Sequence, residues 1–499
     1  MRRALEKAAF VAAFFISLPA FALDRAALDK LVNGEGDERI AAIAALVAEG
    51  DPKAVEVLKA AAEGEIELDG RKVEVMVNNR LRREIEGALS ALRLLSPDRA
   101  ARLGAARSLA AGASDSLLPL VKKALTQESD AESRATLETI AASMELKGGD
   151  KDARLAAIRR LADSATPNTR TLLMQVAGDA DADIKAAALK SLRAVEGRLA
   201  WGEWLGVAFT SVSLGSILLL AALGLAITYG LMGVINMAHG ELIMIGAYTT
   251  YVVQSLFRHT AHFDWYLLAA VPAAFAVSAC VGMVLERSVI RWLYGRPLET
   301  LLATWGISLI LIQAVRTIFG AQNVQVENPA FMSGGVQVLS NVVLPWSRVV
   351  IIGFALFVLF LVYFLLNKTR LGLFVRGVTQ NRDMAACVGV NTGRVDMWAF
   401  GLGCGIAGLA GCALSQLGNV GPELGQGYIV DSFMVVVFGG VGQLAGTVYA
   451  ALVLGFASKL LESWSGAVLA KIAVLVFIIF FIQRRPQGMF ALRGRAMDA

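Results

Sequence analysis

Hydrophobic and charged positions are separated along this chain rather than mixed. From residue 24 to residue 198, acidic and basic side chains are dense and intermingled, whereas from residue 205 to residue 482 long apolar stretches are broken only by short basic loops. A chain patterned in this way folds in two different solvents. We therefore predict a soluble domain over residues 23–198, a membrane domain over residues 199–485 and a cytoplasmic tail over residues 486–499.

The first 22 residues have the pattern of a secretory signal peptide. Arg2 and Arg3 precede a short apolar run, and the small residues up to Ala22 match a cleavage site. The apolar run is shorter than the ~20 residues that a membrane-spanning helix needs. An uncleaved membrane anchor is the alternative, and in either case we expect the soluble domain to be exported.

An arginine-led pattern of apolar residues recurs through the soluble domain. It begins at Arg39, Arg102 and Arg154, with a looser copy from Lys185, and each copy places apolar residues on one face of a helix. Helices that bury such faces by stacking are typical of HEAT-like solenoids. Residues 65–75 alternate polar and apolar positions about an Asp-Gly pair, which predicts a small hairpin. No motif here indicates catalysis, so we predict a docking or scaffolding role.

The membrane domain has enough long apolar segments for about eight spans plus broken or re-entrant helices, within an all-α fold. The basic loops after residues 285 and 366 and the basic C-terminal tail should be cytoplasmic, because Lys and Arg concentrate on that side. The loop over residues 320–347 contains no Lys or Arg and should be periplasmic. These assignments agree only if residues 429–461 enter the membrane and return to the same side.

Two glycine-rich breaks, at residues 233–240 and 439–446, interrupt the apolar segments. Unwound backbone is tolerated in a membrane only where it is buried or lines a cavity, so paired breaks indicate a translocation pathway. Glycines expected to allow close backbone approach are Gly233, Gly240, Gly440 and Gly446. The predicted pathway residues are Asn236, His239, Glu241, Thr304 and Gln443. Capping of the next helix is the alternative role for Asn236 and His239.

Two segments carry a resemblance to a known family. Residues 224–241, continuing to 246–248, closely resemble the signature of the branched-chain amino-acid type of ABC permease, and the resemblance covers residues 205–485. Residues 376–395 resemble the cytoplasmic segment whose coupling helix docks into the ATPase subunit in that family. The coupling residues that the resemblance implies are Arg376, Asp383, Met384, Ala385, Ala386 and Gly389. A surface helix without a partner is the alternative.

The resemblance implies an inner-membrane importer made of several subunits. The expected partners are a second, similar permease, two cytoplasmic ATPases, a periplasmic solute-binding protein and the membrane lipid. No G-x-x-x-x-G-K-[ST] phosphate loop occurs in the chain, so the ATPase must be a separate subunit.

Charge and composition argue against nucleic-acid binding and metal binding, and they indicate no further function. The pI of about 9.0 arises from basic loops and the tail, which fits membrane orientation and not nucleic-acid binding. The four cysteines lie in the membrane domain without metal-ligand spacing, and only three histidines are present. We expect no metal, no cofactor and no enzymatic activity.

An exported extension ahead of such a permease resembles the urea-transport branch of the family, which makes urea the expected solute. Urea is neutral and polar, so hydrogen-bonding groups suffice for it, and the candidates are Asn236, Thr304, Ser308, Gln416 and Asn419. A branched-chain amino acid or a short amide is the alternative, since Glu241, Arg316 and Asp431 could match the charges of a zwitterion. A membrane-anchored scaffold is a further alternative.

Overall fold

The structure is a computed structural model that describes residues 25–48, 52–68, 71–74, 78–110, 117–146, 148, 150–164, 166–179, 181–260, 262–339 and 341–490. The chain divides into two compact units, Met1–Trp201 and Gly202–Ala499, here called unit 1 and unit 2. The predicted signal peptide and residues 491–499 of the predicted tail lie outside the described residues.

Unit 1 consists of short helices and one hairpin. Its helices are α1 (Arg25–Asn33), α2 (Gly36–Ala48), α3 (Pro52–Glu63), α4 (Asn79–Arg93), α5 (Arg99–Ala110), α6 (Leu118–Gln127), α7 (Ala131–Glu145), α8 (Lys151–Asp163) and α9 (Pro167–Val176). The strands are β1 (Glu65–Leu68) and β2 (Arg71–Glu74), paired antiparallel with Ile66 opposite Val73. This pairing confirms the predicted hairpin, although its Asp-Gly turn lies outside the described residues.

The helices of unit 1 start at local caps and bury one apolar face. The side chains of Asn78, Asp130 and Thr166 each accept a hydrogen bond from a backbone N–H in the first turn of the helix that follows. The apolar faces meet in two clusters, around fully buried residues such as Ile85 and Ile158. Burial of these faces, rather than the short helices themselves, stabilises the unit.

The arginines that begin the repeated pattern make the same kind of contact. Each reaches back to a carbonyl oxygen of the chain just before its own helix. The contacts are Arg39 Nη2 to Val32 O (3.0 Å), Arg102 Nη1 to Ser96 O (3.1 Å) and Arg154 Nε to Leu146 O (3.0 Å). The sequence repeat therefore corresponds to a repeated structural contact, while the HEAT-like solenoid itself stays a prediction.

Unit 2 consists mainly of longer helices. The long helix α10 (Ala182–Met232) begins in unit 1 and ends in unit 2. The helices that follow it are α11 (His239–Phe257), α12 (Tyr266–Ser288), α13 (Pro297–Phe319), α14 (Trp346–Lys368), α15 (Arg370–Gln380), α16 (Arg382–Cys387), α17 (Thr392–Ser415), α18 (Gln426–Gly439), α19 (Leu444–Ser465) and α20 (Ala467–Arg484). Short 3-10 turns occupy Phe263–Trp265, Ile290–Trp292 and Ala330–Met332.

Within the described residues, seven helices are long and apolar enough to cross a membrane, compared with about eight spans predicted. They are α10, α12, α13, α14, α17, α19 and α20. The segment that becomes α11 is long enough but too polar to be among them, and several of its polar residues are buried. Helix α18 has 14 residues, which is too short to cross ~30 Å of hydrocarbon.

Helices α11, α12 and α17 pack closely at the centre of unit 2 through glycine contacts. A Cβ at Gly246 would lie 2.2 Å from the Gly408 carbonyl oxygen, and one at Gly411 would lie 1.9 Å from the Ile243 carbonyl oxygen. Only glycine permits such an approach between helix backbones, which is how membrane helices gain packing energy without a hydrophobic driving force. This rigid core supports the first glycine break.

A second hairpin lies in the loop without Lys or Arg. Strand β3 (Gly335–Leu339) pairs antiparallel with β4 (Val342–Pro345), and the register is irregular between Gln337 and Leu339. The all-α prediction therefore omits two small hairpins, one of which the sequence pattern had indicated. The β3–β4 pair was missed because it lies in a stretch that the sequence analysis treated only as a loop.

Candidate functional site

The first glycine break is the unwound segment between α10 and α11. Helix α10 ends at Met232 and α11 begins at His239. Gly233 turns the chain with a φ of +68°, and open space surrounds the position where a Cβ would stand. Its left-handed conformation, rather than a close backbone approach, therefore favours glycine here, contrary to the expectation for this residue. Gly240 does make a close approach, since its added Cβ would lie 2.7 Å from the Gly425 carbonyl oxygen.

Asn236 and Thr304 hold the break in shape. The Asn236 side chain is 2% exposed, and its Oδ1 accepts a hydrogen bond of 3.1 Å from the Ala238 N–H. The Thr304 hydroxyl of α13 accepts one of 3.2 Å from the Met237 N–H. Both contacts satisfy backbone donors that the end of helical structure leaves free. The Asn236 Nδ2 has no hydrogen-bond partner among the described residues.

His239 and Glu241 point to different neighbours. The His239 Nε2 lies 3.0 Å from the Ala221 carbonyl oxygen of α10, and the ring is fully buried. The Glu241 carboxylate lies beside Ser308 of α13. Residues two apart on a helix are separated by about 200°, so the predicted pathway group divides between two faces of α11. Asn236, Glu241 and Thr304 form the α13 side, and His239 packs against α10.

Helix α13 presents a buried stripe of hydroxyl groups toward this site. Thr300, Thr304 and Ser308 recur every four residues, which places them on one helix face, and all three are buried. The Glu241 side chain next to the stripe is 2% exposed, and its Oε2 has no hydrogen-bond partner among the described residues. A buried carboxylate oxygen without a donor is costly, so this atom is a candidate contact for a polar ligand.

The second break lies between α18 and α19, over residues 440–443. Gly440 adopts a φ of +102°, and a Cβ added at Gly446 would lie 2.1 Å from the Gly439 carbonyl oxygen. A Cβ at Gly230, near the end of α10, would lie 2.5 Å from the Gly442 Cα. The second break is therefore in direct backbone contact with the helix that ends at the first break.

Gln443 opens onto a cavity of about 650 Å³ between α10, α14, α15 and α19. The walls are mainly apolar, and Gln443, Asn367 and Arg376 supply polar groups. Arg376 was predicted for ATPase coupling and Gln443 for the pathway, and the two line the same space. The structure thus brings one member of each predicted set together.

The predicted coupling residues lie on and around α16. Arg376 lies on α15, and the exposed residues of the short helix include Asp383, Met384 and Ala386, with Met384 at 61% exposure. Gly389 follows with a φ of +87° and is exposed. Ala385 is different, since it is 7% exposed and its carbonyl accepts a hydrogen bond from the Val390 N–H at 3.0 Å. Ala385 therefore faces the protein and is not part of the exposed surface.

Sequence analysis missed the residues that hold α16 in place. Arg382 forms an ion pair with Asp396 of α17, and its guanidinium lies 4.9 Å from the ring centroid of Tyr294. The Tyr294 hydroxyl donates a hydrogen bond of 3.1 Å to Glu286 of α12. The available signal was Asp396 itself, a carboxylate in an apolar segment that needs a partner.

Among the described residues, no group of three or more His, Cys, Asp or Glu side chains is arranged to hold a metal ion. The four cysteines are not joined to one another, and Cys404 and Cys412 are buried in α17.

Comparison with known proteins gives one family match. The model of the family described as branched-chain amino acid transport system, permease component, matches residues 207–483. The permease LivH of the high-affinity branched-chain amino acid transport system of Escherichia coli (strain K12) is 28% identical over 288 residues, 56% of this chain and 93% of LivH. The corresponding permease BraD of Pseudomonas aeruginosa is 27% identical over 286 residues, covering 56% of this chain and 92% of BraD.

A relative with another named solute also matches. The ribose import permease RbsC of Escherichia coli (strain K12) is 30% identical over 199 residues, 38% of this chain and 59% of RbsC. No solved structure matches this chain. The family match begins inside unit 2, so unit 1 lies outside it.

Proposed function

Because this chain belongs to the branched-chain amino acid permease family, we propose that it is the membrane-spanning permease subunit of an ATP-driven importer for a branched-chain amino acid. The observation that carries the proposal is the match over residues 207–483, which includes both glycine breaks and the α15–α16 segment. Proteins of this family are transport permeases, so the chain's role is passage of solute and not catalysis.

The sequence pattern led us to expect urea as the solute. The names of the relatives instead support an amino acid. LivH and BraD are named for branched-chain amino acid transport, and each is matched over more than nine-tenths of its length. The urea expectation depended on the presence of an exported extension, and unit 1 lies outside the family match. The amino-acid alternative is therefore the better supported one.

The proposed transport cycle uses the two glycine breaks and α16. Two cytoplasmic ATPase subunits would press on the exposed residues of α16, including Met384 and Ala386. Helix α15 precedes α16 and carries Arg376, which shares a cavity with Gln443 at the start of α19. Displacement of α16 would thereby reshape this cavity and move the second break against α10.

The proposed assembly places the chain in a bacterial inner membrane. A second permease subunit would complete the pathway, and a periplasmic solute-binding protein would deliver the amino acid. The basic loops and the tail favour a cytoplasmic α16 and a cytoplasmic C-terminus, which puts unit 1 in the periplasm. For unit 1, over residues 23–198 behind a signal peptide, we propose a HEAT-like docking domain.

Uptake measurements test the proposed function. The chain is expressed with its partner subunits in a strain that lacks amino-acid and urea importers, and uptake of labelled leucine and labelled urea is compared. We expect ATP-dependent leucine uptake that is lost when the permease is omitted. Urea uptake without leucine uptake would overturn the proposal. Removal of residues 24–198 with the export signal kept should preserve most of the uptake, whereas a membrane-anchored scaffold predicts no uptake at all.

Urea is the second candidate solute, and one observation favours it. The polar groups on the α13 side of the first break, from Thr300, Thr304, Ser308 and Asn236, are neutral hydrogen-bonding groups. Among the described residues of this site, no Lys or Arg faces Glu241 to receive the carboxylate of an amino acid. A neutral amide could use these groups without a counter-charge, and the uptake comparison decides between the two solutes.

A further inference from the structure

Four ionisable side chains from three neighbouring helices line one cavity in unit 2. The cavity has a volume of about 250 Å³ and lies between α10, α18, α19 and α20. Its charged lining residues are Asp431, Lys459, Glu462 and Lys471. We call it the charged cavity. It shares no lining residue with the cavity beside Gln443.

The four charges form two ion pairs at the cavity wall. Lys471 Nζ lies 3.1 Å from Asp431 Oδ2, which joins α20 to α18. Lys459 Nζ lies 2.6 Å from Glu462 Oε2 on α19. The Asp431 and Lys459 side chains are 17% and 27% exposed, whereas Glu462 and Lys471 are 38% and 62% exposed, so one partner of each pair is partly withdrawn from solvent.

Charged residues in membrane helices are costly to bury. Lys459 and Glu462 lie in α19 and Lys471 in α20, both of which are apolar enough to span a membrane, and Asp431 lies in the apolar helix α18. Ion pairs with one partner this exposed add little net stability, because solvent screens the attraction. Ionisable residues that face a cavity between membrane helices instead mark solute pathways.

The rest of the cavity wall is mainly apolar, with hydroxyl groups from Tyr428 and Ser458. Leu218, Met434, Leu454 and Val474 line it and are buried. The cavity therefore offers two cations, two anions and an aliphatic surface within one small space. An α-amino acid with a branched aliphatic side chain carries the complementary groups: one ammonium, one carboxylate and one apolar branch.

We propose that the charged cavity is a binding subsite for a free zwitterionic amino acid with an aliphatic side chain. The ammonium of the ligand binds the carboxylate of Asp431 or Glu462, and the carboxylate of the ligand binds the ammonium of Lys471 or Lys459. Because both the ligand and the four side chains are net neutral, occupancy brings no net charge into the membrane domain. This inference rests on the proposed function and deepens it by naming the residues that select a zwitterion.

The location of the cavity relative to the breaks supports a role in solute passage. The cavity lies at the ends of α19 and α20 that meet at Gly466, whereas the start of α19 lies at the second break, 22 residues away along the helix. It is therefore at the opposite end of α19 from Gln443. With the proposed orientation, this end is periplasmic, where solute would enter from the binding protein.

Direct binding tests the ligand class. The assembled transporter, without its binding protein and without ATP, is placed in nanodiscs of phosphatidylglycerol, so that no zwitterionic lipid headgroup competes, and bound [³H]leucine is measured. We expect unlabelled leucine to compete about tenfold or more better than 4-methylpentanoate, which lacks the ammonium, or leucinol, which lacks the carboxylate. Equal competition by either analogue, or displacement by urea, would overturn the proposal.

Substitutions at Asp431 and Lys471 test whether these residues bind the ligand. Asp431→Asn and Lys471→Met should each weaken leucine binding about tenfold, and Asp431→Glu should restore part of it. The double variant Asp431→Lys with Lys471→Asp restores an ion pair, so a purely structural role predicts recovered binding, whereas the subsite predicts that binding stays weak. Arg258→Gln is the control, since it removes one partner of the exposed Arg258–Glu327 pair outside the cavity. Co-purification with the ATPases verifies that each variant is folded.

The outcomes separate this subsite from the proposed function. If the unaltered transporter imports urea and not leucine, the proposed function fails. If it imports leucine and the Asp431→Asn and Lys471→Met variants bind and import leucine as the unaltered protein does, only the subsite fails.

Discussion

Arg382 and Asp396 form an ion pair that joins the short exposed helix α16 to the first turns of the membrane helix α17. The Asp396 side chain is 5% exposed and Arg382 is 45% exposed, so the carboxylate is the buried partner. Tyr294 stacks on the same guanidinium, which ties the loop between α12 and α13 to the pair. The pair therefore gives α16 a side-chain connection to the membrane helices, in addition to the backbone that joins it to α15 and α17.

Loss of this ion pair should uncouple ATP hydrolysis from transport. The substitution Arg382→Gln leaves Asp396 buried without its partner, at a cost of about 1–3 kcal/mol, and frees α16 to move without α17. We expect leucine uptake in proteoliposomes to fall about tenfold or more, while ATP hydrolysis by the assembled complex persists.

Lys368→Gln is the matched control for that substitution. Lys368 is exposed at the end of α14, and its replacement removes one positive charge in the same region without breaking the Arg382 pair. Uptake with this variant should stay close to that of the unaltered protein. A similar loss of uptake in both variants would mean that local charge, and not the ion pair, is responsible.

The exposed residues of α16 should decide ATPase association. Ala386→Arg places a long charged side chain on the exposed surface, and Met384→Asp removes an apolar contact of a residue that is 61% exposed. Both variants should lower the amount of ATPase that co-purifies with the permease while unit 2 stays folded. Ala386→Ser, which changes the surface little, should leave co-purification unchanged.

Ala385→Arg is unsuitable for that test, because Ala385 faces the protein and a large side chain there would disrupt α16 itself. If Ala386→Arg and Met384→Asp both co-purify with normal amounts of ATPase, the α16 surface is not the docking site.

The close approach between Gly240 and Gly425 should contribute to the stability of unit 2. A Cβ at Gly425 would lie 1.8 Å from the Gly240 carbonyl oxygen, so Gly425→Ala forces the start of α11 away from the chain before α18. We expect a loss of about 1–3 kcal/mol in stability, read as a lower midpoint of thermal aggregation in detergent.

Gly353→Ala provides the control in the same unit. Gly353 lies in α14 with open space around an added Cβ, and alanine favours the helix more than glycine does by about 1 kcal/mol. Its thermal midpoint should therefore be unchanged or higher. A similar decrease for both glycine variants would contradict the close-packing argument.

The stability of unit 1 should depend on pH through Asp130. The Arg99 guanidinium donates a hydrogen bond of 2.8 Å to Asp130, and this contact is the main cause that lowers the pKa of Asp130 to about 2. Since the pKa is lower in the folded state than in the unfolded chain, the carboxylate stabilises the fold above pH ~4. That contribution is lost as the pH falls from about 4 toward 2.

The variant Arg99→Gln tests the sign of this effect. It should unfold more easily than the unaltered protein at pH 7, and the difference should shrink as the pH falls toward 2, because Asp130 of the folded unaltered protein becomes protonated over that range. Thermal unfolding followed by circular dichroism at pH 7, 4 and 2 measures the difference. A difference that stays constant across this range would contradict the assignment to Asp130.

Features of this protein that depend on residues adjacent in sequence could be predicted from the sequence alone. The β1–β2 hairpin followed from alternation over residues 65–75, and the chain breaks after α10 and α18 fell where glycines cluster. The family resemblance of the membrane domain also depended on contiguous residues. In each case the determining physics is local: side-chain period, turn chemistry and the conformational freedom of glycine.

Features that depend on the rotation of one helix against another needed the tertiary structure. The inward position of Ala385 and the division of His239 and Glu241 between α10 and α13 follow from which helix face is covered by which neighbour. The charged cavity is the clearest case, because Asp431 and Lys471 lie far apart in sequence and meet only when α18 packs on α20. Spacing along one helix sets the direction of a side chain, but only packing decides what that side chain meets.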